Sequence, residues 1–230
     1  MLSSVLQASS SNAKDVVVDM SEDVANENMT MRAPYETTKV LQPTANDRKF
    51  NQDLCYNGKR LVLRTGFIAS ADIKISETQY GKRIMIPVSS WLRKQLNAIE
   101  EYITLNMTVP SEISQTWQPR DARDTAYKKV WDGDTLYISI SNWCQFLRQE
   151  NDYLSEIQYD ELGDGSYNVC ISIPGVYFGH HANNKVASLT MRVQQLLFKP
   201  EPDNVDAIID AILEREADVK HVKRRRKAKA

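Results

Sequence analysis

Two segments of the chain repeat one pattern of apolar and polar residues. They are RIMIPVSSWLRKQL, which begins at Arg83, and TLYISISNWCQFLR, which begins at Thr135. In both, apolar residues alternate with other residues up to a serine, and a tryptophan follows, Trp91 or Trp143. Alternation with period two predicts a strand with one buried face, and the apolar spacing after each tryptophan predicts a helix. Each repeat is therefore expected to be a strand followed by a helix that covers it.

The surrounding segments are mainly predicted strands. Period-two patterns, with turn residues between them, place strands at 59–64, 71–76, 126–131 and 167–178. Residues 186–198 carry a mixed pattern that fits either a strand or a helix. The fold class expected from these elements is α+β, with antiparallel sheets and a helix after each repeated strand unit, arranged as two related halves.

The composition of the chain divides it further. Residues 1–50 are polar and aperiodic, which is typical of a disordered segment that buries too little apolar surface to offset its ordering entropy. A short docking motif at 16–20 is the alternative for part of that segment. The expected organisation is a disordered segment 1–50, a first strand-helix unit 55–105, a linker 106–124, a second strand-helix unit 125–199, an amphipathic helix 202–221 and a basic tail 222–230.

Charge is unevenly distributed along the chain. The formal net charge is −1, but residues 59–130 hold 12 basic and 7 acidic side chains, whereas 1–58 and 131–200 are acidic. The basic segment and the basic tail are therefore candidate contact surfaces for a polyanion. Three cysteines without CxxC spacing favour a reducing compartment. No apolar run is long enough for a transmembrane helix and no secretory signal is recognised, so no membrane partner is expected.

Catalytic motifs are not found in the sequence. It contains no HExxH, GxSxG, P-loop or GxGxxG motif and only three histidines. His180 and His181 are adjacent on a predicted loop and lack a third metal ligand nearby in the sequence. We therefore expect a protein that is not an enzyme and has neither a metal site nor a cofactor.

Basic and aromatic residues are interleaved on the predicted strands of the first unit. Cations on a sheet contact phosphates while rings stack on unpaired bases, which is how many proteins bind single-stranded nucleic acid. The alternative is an ordinary solvated sheet face with rings packed inside, where the tryptophans seal the open end of the sheet. The candidate nucleic-acid-binding residues are Lys59, Arg60, Arg64, Phe67, Lys74, Tyr80, Lys82, Arg83 and Trp91.

The segment KRLVLRTGFIASADIKISETQYGKRIMIPVSSWLRKQLNAIEEYI resembles the single-stranded-DNA-binding domain of the transcriptional coactivator positive cofactor four. In that family, basic strands lead through a basic turn into a strand and a tryptophan-bearing helix. Lys82 and Arg83 match the turn, and Arg64 and Phe67 fall near an Arg and a Phe of the early strands. The family's two lysines after the Phe are not present here. The resemblance implies binding of single-stranded DNA by two paired units, which tandem units of the Whirly type would supply within one chain.

The C-terminus carries seven cations among its last eleven residues. The run Lys223, Arg224, Arg225, Arg226 and Lys227 exceeds what a helix end requires and predicts a nuclear location reached through an import receptor, or contact with nucleic acid. The expected function is that of an accessory protein in replication or transcription that binds single-stranded DNA in the nucleus, and the layout suits a DNA virus. The alternative is an assembly module that forms homo-oligomers through the 202–221 helix.

Overall fold

The computed structural model describes residues 15–39, 41–44, 47–79, 81–114, 126–131, 133–150, 153–179 and 185–201. Within these ranges, twelve strands belong to one mixed sheet, and two α-helices accompany it. The strands are β1 (Asp15–Val18), β2 (Met29–Met31), β3 (Tyr35–Glu36), β4 (Phe50–Tyr56), β5 (Lys59–Ala69), β6 (Lys74–Thr78), β7 (Gly81–Pro87), β8 (Tyr127–Lys128), β9 (Thr135–Glu150), β10 (Tyr153–Glu156), β11 (Gly165–Phe178) and β12 (Ala187–Pro200). The helices are α1 (Ser90–Asn106) and α2 (Ser111–Ser114).

Two long antiparallel strands, β11 and β12, form the centre of the sheet. On one side, β11 pairs with both β4 and β5, and β1 runs parallel to β5. On the other side, β12 pairs in parallel with β9, and β7 and β6 continue the sheet in antiparallel order. The short strands β2 and β3 pair with β4, β8 with β12 and β10 with β9. Segments from the whole described chain therefore share one hydrogen-bonded sheet.

The hydrophobic core lies on one face of this sheet and includes α1. Alternate residues of β7 and β9 are buried in it, such as Ile84, which pairs directly with Ile138. Full burial of one aliphatic side chain stabilises the fold by roughly 1.5–3 kcal/mol. The helix adds the apolar stripe predicted from the sequence, whose members are fully buried: Leu92, Leu96, Ile99 and Ile103.

The helix predicted after the first repeat is confirmed. The chain becomes helical at Ser90, and the Ser89 hydroxyl accepts a hydrogen bond from the backbone N–H of Leu92 over 3.2 Å. This bond satisfies one of the first N–H groups of the helix, which have no partner within it.

The α+β class with a helix after each repeated unit is wrong, because the second repeat is not followed by a helix. It forms a single strand, β9, from Thr135 to Glu150. Residues 145–148 of β9 pair with 195–198 of β12, and residues 141–144 form a bulge between the two paired stretches. A helix at this position would leave that edge of β12 without hydrogen-bonding partners, and this tertiary pairing overrides the ambiguous local pattern. Trp143 lies in the bulge and is 88% exposed.

The two repeats also do not build separate halves. Their strands are direct neighbours, since Ile86 of β7 pairs with Leu136 of β9. Residues 186–198, which fitted either a strand or a helix, lie almost wholly in β12. Helix α2 lies within the predicted linker 106–124, and residues 115–125 fall outside the described part. No helix in the part of the chain that the structure describes is long and apolar enough to cross a membrane.

The N-terminal segment differs from the expectation of disorder wherever it is described. Strand β1 pairs with β5 in register Val17 to Val62, and β2 and β3 pair with β4. Val18, Val24 and Met29 are buried in the core. The apolar residues 16–18 stand in a segment that shows neither a helical nor an alternating pattern. Their place in the sheet therefore depends on pairing with the edge of β5 in the tertiary structure.

A buried carboxyl group lies on the core side of α1. The Tyr127 hydroxyl donates a hydrogen bond to Glu100 Oε1 over 3.0 Å, and Lys129 Nζ lies 4.0 Å from the other oxygen. Burial raises the pKa of Glu100 above its ordinary value of 4.5, although these two partners oppose the shift. The folded protein therefore holds the Glu100 proton more tightly than the unfolded chain. Stability is lost as the pH rises above the ordinary value through the folded pKa.

Replacing Glu100 with glutamine is expected to flatten the pH dependence of stability between about pH 4.5 and neutrality. The amide oxygen still accepts the Tyr127 hydrogen bond and the amide does not titrate, although its nitrogen replaces an oxygen that faces Lys129 and the Val130 backbone N–H. Urea unfolding midpoints, measured from about pH 4.5 to neutrality, should decline in the native protein more than in the variant. An equal decline in both proteins would contradict this, because it would mean that Glu100 does not cause the pH dependence.

Candidate nucleic-acid interface

Strand register aligns basic and small polar side chains on the side of the sheet opposite the core. Ser172, Arg192, Ser139, Arg83 and Ser76 are successive direct partners on β11, β12, β9, β7 and β6. Directly paired residues share a face, so these five side chains form one row across the sheet. Arg83 and Arg192 are both exposed and are separated by one strand, or about 10 Å at the usual strand spacing.

A second row places an exposed ring beside the two arginines. Tyr137 of β9 pairs with Met85 of β7, which pairs with Lys74 of β6. These residues lie two positions along each strand from the first row and thus share its face. Tyr137 is 65% exposed, which is unusual for a large ring on a strand of a sheet. An exposed ring next to cations provides both a stacking surface and charge for a phosphate.

A third row crosses the sheet near the first residues of β12. Tyr35, Asn51, Tyr177, Ser188 and Lys128 are successive partners on β3, β4, β11, β12 and β8. We call the surface made by the three rows, together with the intervening Asp53 and Thr190, the open face. Its members are Tyr35, Asn51, Asp53, Lys74, Ser76, Arg83, Met85, Lys128, Tyr137, Ser139, Ser172, Tyr177, Ser188, Thr190 and Arg192, of which Ser172 and Ser188 are buried beneath their neighbours.

Two adjoining cavities extend the open face towards the β4–β5 turn. One, of about 490 Å³, is lined by Tyr35, Tyr177 and Arg192 among other residues. The other, of about 690 Å³, lies beside it, and the two share Tyr35, Asp53 and Pro174 as walls. The larger cavity also holds three cations, which are Arg32, Lys59 and Arg60. The cavities and the rows therefore form one continuous surface.

Few cations of this surface are neutralised by a nearby carboxylate. Arg60 lies 3.8 Å from the carboxylate of Asp15. The others make no ion pair with a carboxylate in the described ranges, and all are exposed: Arg32, Lys59, Lys74, Arg83, Lys128 and Arg192. A concentration of cations without partners attracts a polyanion such as a nucleic-acid backbone.

Four of the residues predicted from the sequence lie on this surface. Lys74 and Arg83 belong to the open face, and Lys59 and Arg60 line the larger cavity. Lys82 does not join them, because the pleat turns it to the side of Ile84, where its Nζ lies 3.7 Å from the ring centre of Tyr159.

The other predicted residues are not brought to this surface. Arg64 is only 8% exposed and is paired with Cys170 in the sheet, so it does not meet a ligand at the surface. Phe67 lies further along β5, with Lys199 Nζ 5.9 Å from its ring centre. Trp91 is half-buried, and its Nε1 donates a hydrogen bond to the Glu22 carbonyl over 2.9 Å. Tyr80 and the basic run 223–227 fall outside the described residues.

Several residues of the surface were not predicted. For one of them the sequence held a signal, since period-two alternation in TLYISI places Tyr137 opposite Leu136 and Ile138. The others depend on strand pairings between segments far apart in the chain. They are Arg32, Tyr35, Lys128, Tyr177 and Arg192.

Comparisons with protein families, with curated proteins and with solved structures found no significant match to this chain. The resemblance to positive cofactor four, and the residue roles that it implies, therefore stay a prediction.

Proposed function

We propose that this protein binds single-stranded nucleic acid along the open face and is not an enzyme. The observation that carries the proposal is the row in which Arg83 and Arg192 are both exposed, next to the exposed ring of Tyr137. The arginines neutralise phosphates on either side of the ring, and the ring stacks on a base. Stacking of this kind contributes about 1–3 kcal/mol per base.

The chemistry of the surface favours single strands over duplexes. A base in a duplex has both of its faces covered by neighbouring base pairs, so Tyr137 could stack only on an unpaired base. Cations alone do not discriminate in this way, because both forms carry phosphates. Preference for single strands is thus the property that depends on the ring.

Further parts of the proposal depend on the sequence alone. The basic run 223–227 favours a nuclear location reached through an import receptor, and it adds affinity for nucleic acid that does not depend on sequence. These two features together favour a role as an accessory protein in replication or transcription, and the layout of the chain suits a DNA virus. Assembly through residues 202–221 is the alternative function, and the oligomeric state of the full chain in solution tests it.

Replacing Tyr137 with alanine is expected to weaken binding to single strands by about 5- to 150-fold, the equivalent of one lost stacking contact. Binding to duplex DNA should change little. Fluorescence anisotropy of the full chain with labelled single- and double-stranded oligonucleotides, across a salt series, measures both. The full chain keeps the basic tail constant between variants.

The matched control is Tyr153→Ala. Tyr153 is also a strongly exposed tyrosine, but it pairs with Glu150 at the end of β9, away from Tyr137. It should leave binding unchanged. Equal binding of single strands by the Tyr137 variant and the native protein would rule out this ring as the stacking surface.

A further inference from the structure

Asp53 is the carboxylate of the open face, and it lies among the cations that line the two cavities. Asp53 lies in the wall between the two cavities and lines both, and the other charged residues that line them are Arg32, Lys59, Arg60 and Arg192. A carboxylate repels phosphate, so at this position it lowers the affinity of the surface for a polyanion backbone. A ligand group that donates hydrogen bonds to Asp53 would instead raise the affinity.

The fold holds the Asp53 side chain in place. The Tyr35 hydroxyl donates a hydrogen bond to Asp53 Oδ1 over 3.1 Å. The backbone of the same residue is paired on both sides, since its carbonyl accepts from the N–H of Arg32 over 2.9 Å and its Cα partner on β11 is Gly175. An ionised carboxylate has about four acceptor positions, so one bond from Tyr35 leaves the others available.

The cavity beside Asp53 has the size and the walls of a binding site for a planar ring. Its volume of about 490 Å³ lies within the usual range for small-molecule sites, about 300–1,000 Å³. Tyr35 and Tyr177 supply aromatic walls, and Arg192, which also lines the cavity, belongs to the first row. A strand that follows the arginines of the open face therefore passes this cavity.

We infer that this cavity receives a guanine base of the bound strand, with Asp53 as the residue that selects it. The inference rests on the proposed binding of single-stranded nucleic acid. Guanine presents two adjacent donors, N1–H and the N2 amino group, which match the two oxygens of one carboxylate. Adenine, cytosine and thymine each place an acceptor beside the donor on the same edge, and that acceptor repels a carboxylate.

The test compares oligo(dT) of about 15 nucleotides with the same oligonucleotide carrying one central guanine, adenine or cytosine. We expect guanine to raise the affinity of the full chain by about 10-fold and the other bases to leave it unchanged. The Asp53→Asn variant should lose the guanine preference, measured as the ratio of its affinities for the guanine-containing oligonucleotide and for oligo(dT). An asparagine still accepts the Tyr35 hydrogen bond, but it offers guanine one acceptor and one donor instead of two acceptors.

Two further arms make the result specific. Asp72→Asn removes one exposed carboxylate outside the cavities and should keep the guanine preference, which separates selection of a base from a general change in charge. RNA of the same sequence should show the same preference, because the base is identical and only the sugar differs. Native protein that binds all the oligonucleotides equally would overturn the inference and leave the proposed function standing. Absence of binding to every oligonucleotide would overturn both.

Discussion

Replacing Arg83 and Arg192 together with alanine is expected to weaken binding to single-stranded oligonucleotides by at least about 150-fold. In the proposed complex each arginine makes a charge-assisted contact to phosphate, which contributes about 1.5–3 kcal/mol. The slope of log affinity against log salt should also fall by about 1.4, since each phosphate contact to a single strand accounts for about 0.7. Anisotropy titrations of the full chain across a salt series measure both quantities.

The adjacent residue Lys82 provides the matched control for this experiment. It is a cation on the same strand, but its Nζ lies over the ring of Tyr159 on the other side of the sheet. Lys82→Ala should therefore leave affinity and salt slope close to native values. If Lys82→Ala weakened binding by half or more of the free energy lost in the double variant, the contact surface would not be confined to the open face, and the proposed role of that face would be wrong.

Replacing Gly175 with alanine is expected to destabilise the protein by about 4 kcal/mol. The residue has a φ of +145°, in a region that only glycine adopts without strain, which costs about 1–3 kcal/mol for other residues. An added methyl group would also overlap the Gln52 carbonyl oxygen and lie 2.8 Å from the Leu54 backbone nitrogen. Because these neighbours are backbone atoms of the paired strand β4, they cannot rotate away, and overpacking adds a similar cost.

Urea unfolding of the native and variant proteins measures this loss, and Gly133→Ala is the control. Gly133 also has a positive φ, +72°, but no atom lies within 4 Å of an added methyl group. It should lose only about 1 kcal/mol from backbone strain. A Gly175 variant that lost no more than the Gly133 variant would mean that β4 and β11 shift apart readily at this point. The cavities beside Asp53 would then not be held rigidly.

The faces of the strands could largely be predicted from the sequence. Alternation in RIMIPV assigns Ile84 and Ile86 to the core and Arg83 to the opposite side, as observed. The same alternation assigns Lys82 to the side of Ile84, so the sequence already indicated that the two predicted binding residues Lys82 and Arg83 lie on opposite sides of the sheet. Arg64 is different, because the five successive residues 61–65 of β5 are all buried, so side chains on both alternating sides of this strand are covered in the tertiary structure.

The two repeats have similar local patterns but form different secondary structures after the tryptophan. Both repeats carry apolar residues that fit a helix after the tryptophan, yet only the first forms one. Leu92, Leu96, Ile99 and Ile103 make an uninterrupted stripe that the core accepts. After Trp143, residues 145–148 instead form backbone hydrogen bonds with the edge of β12, so this segment is a strand.

The sequence by itself determined the period of each strand, the start and stripe of α1 and the excess of cations in the segment 59–130. The tertiary structure alone decided that β1–β3 join the sheet, that β9 continues as a strand and that Arg192, Tyr137 and Asp53 lie on one surface with Arg83. The reason is physical. Period and capping depend on residues a few positions apart, whereas a shared surface depends on the register between strands, and hydrogen bonds between distant segments set that register.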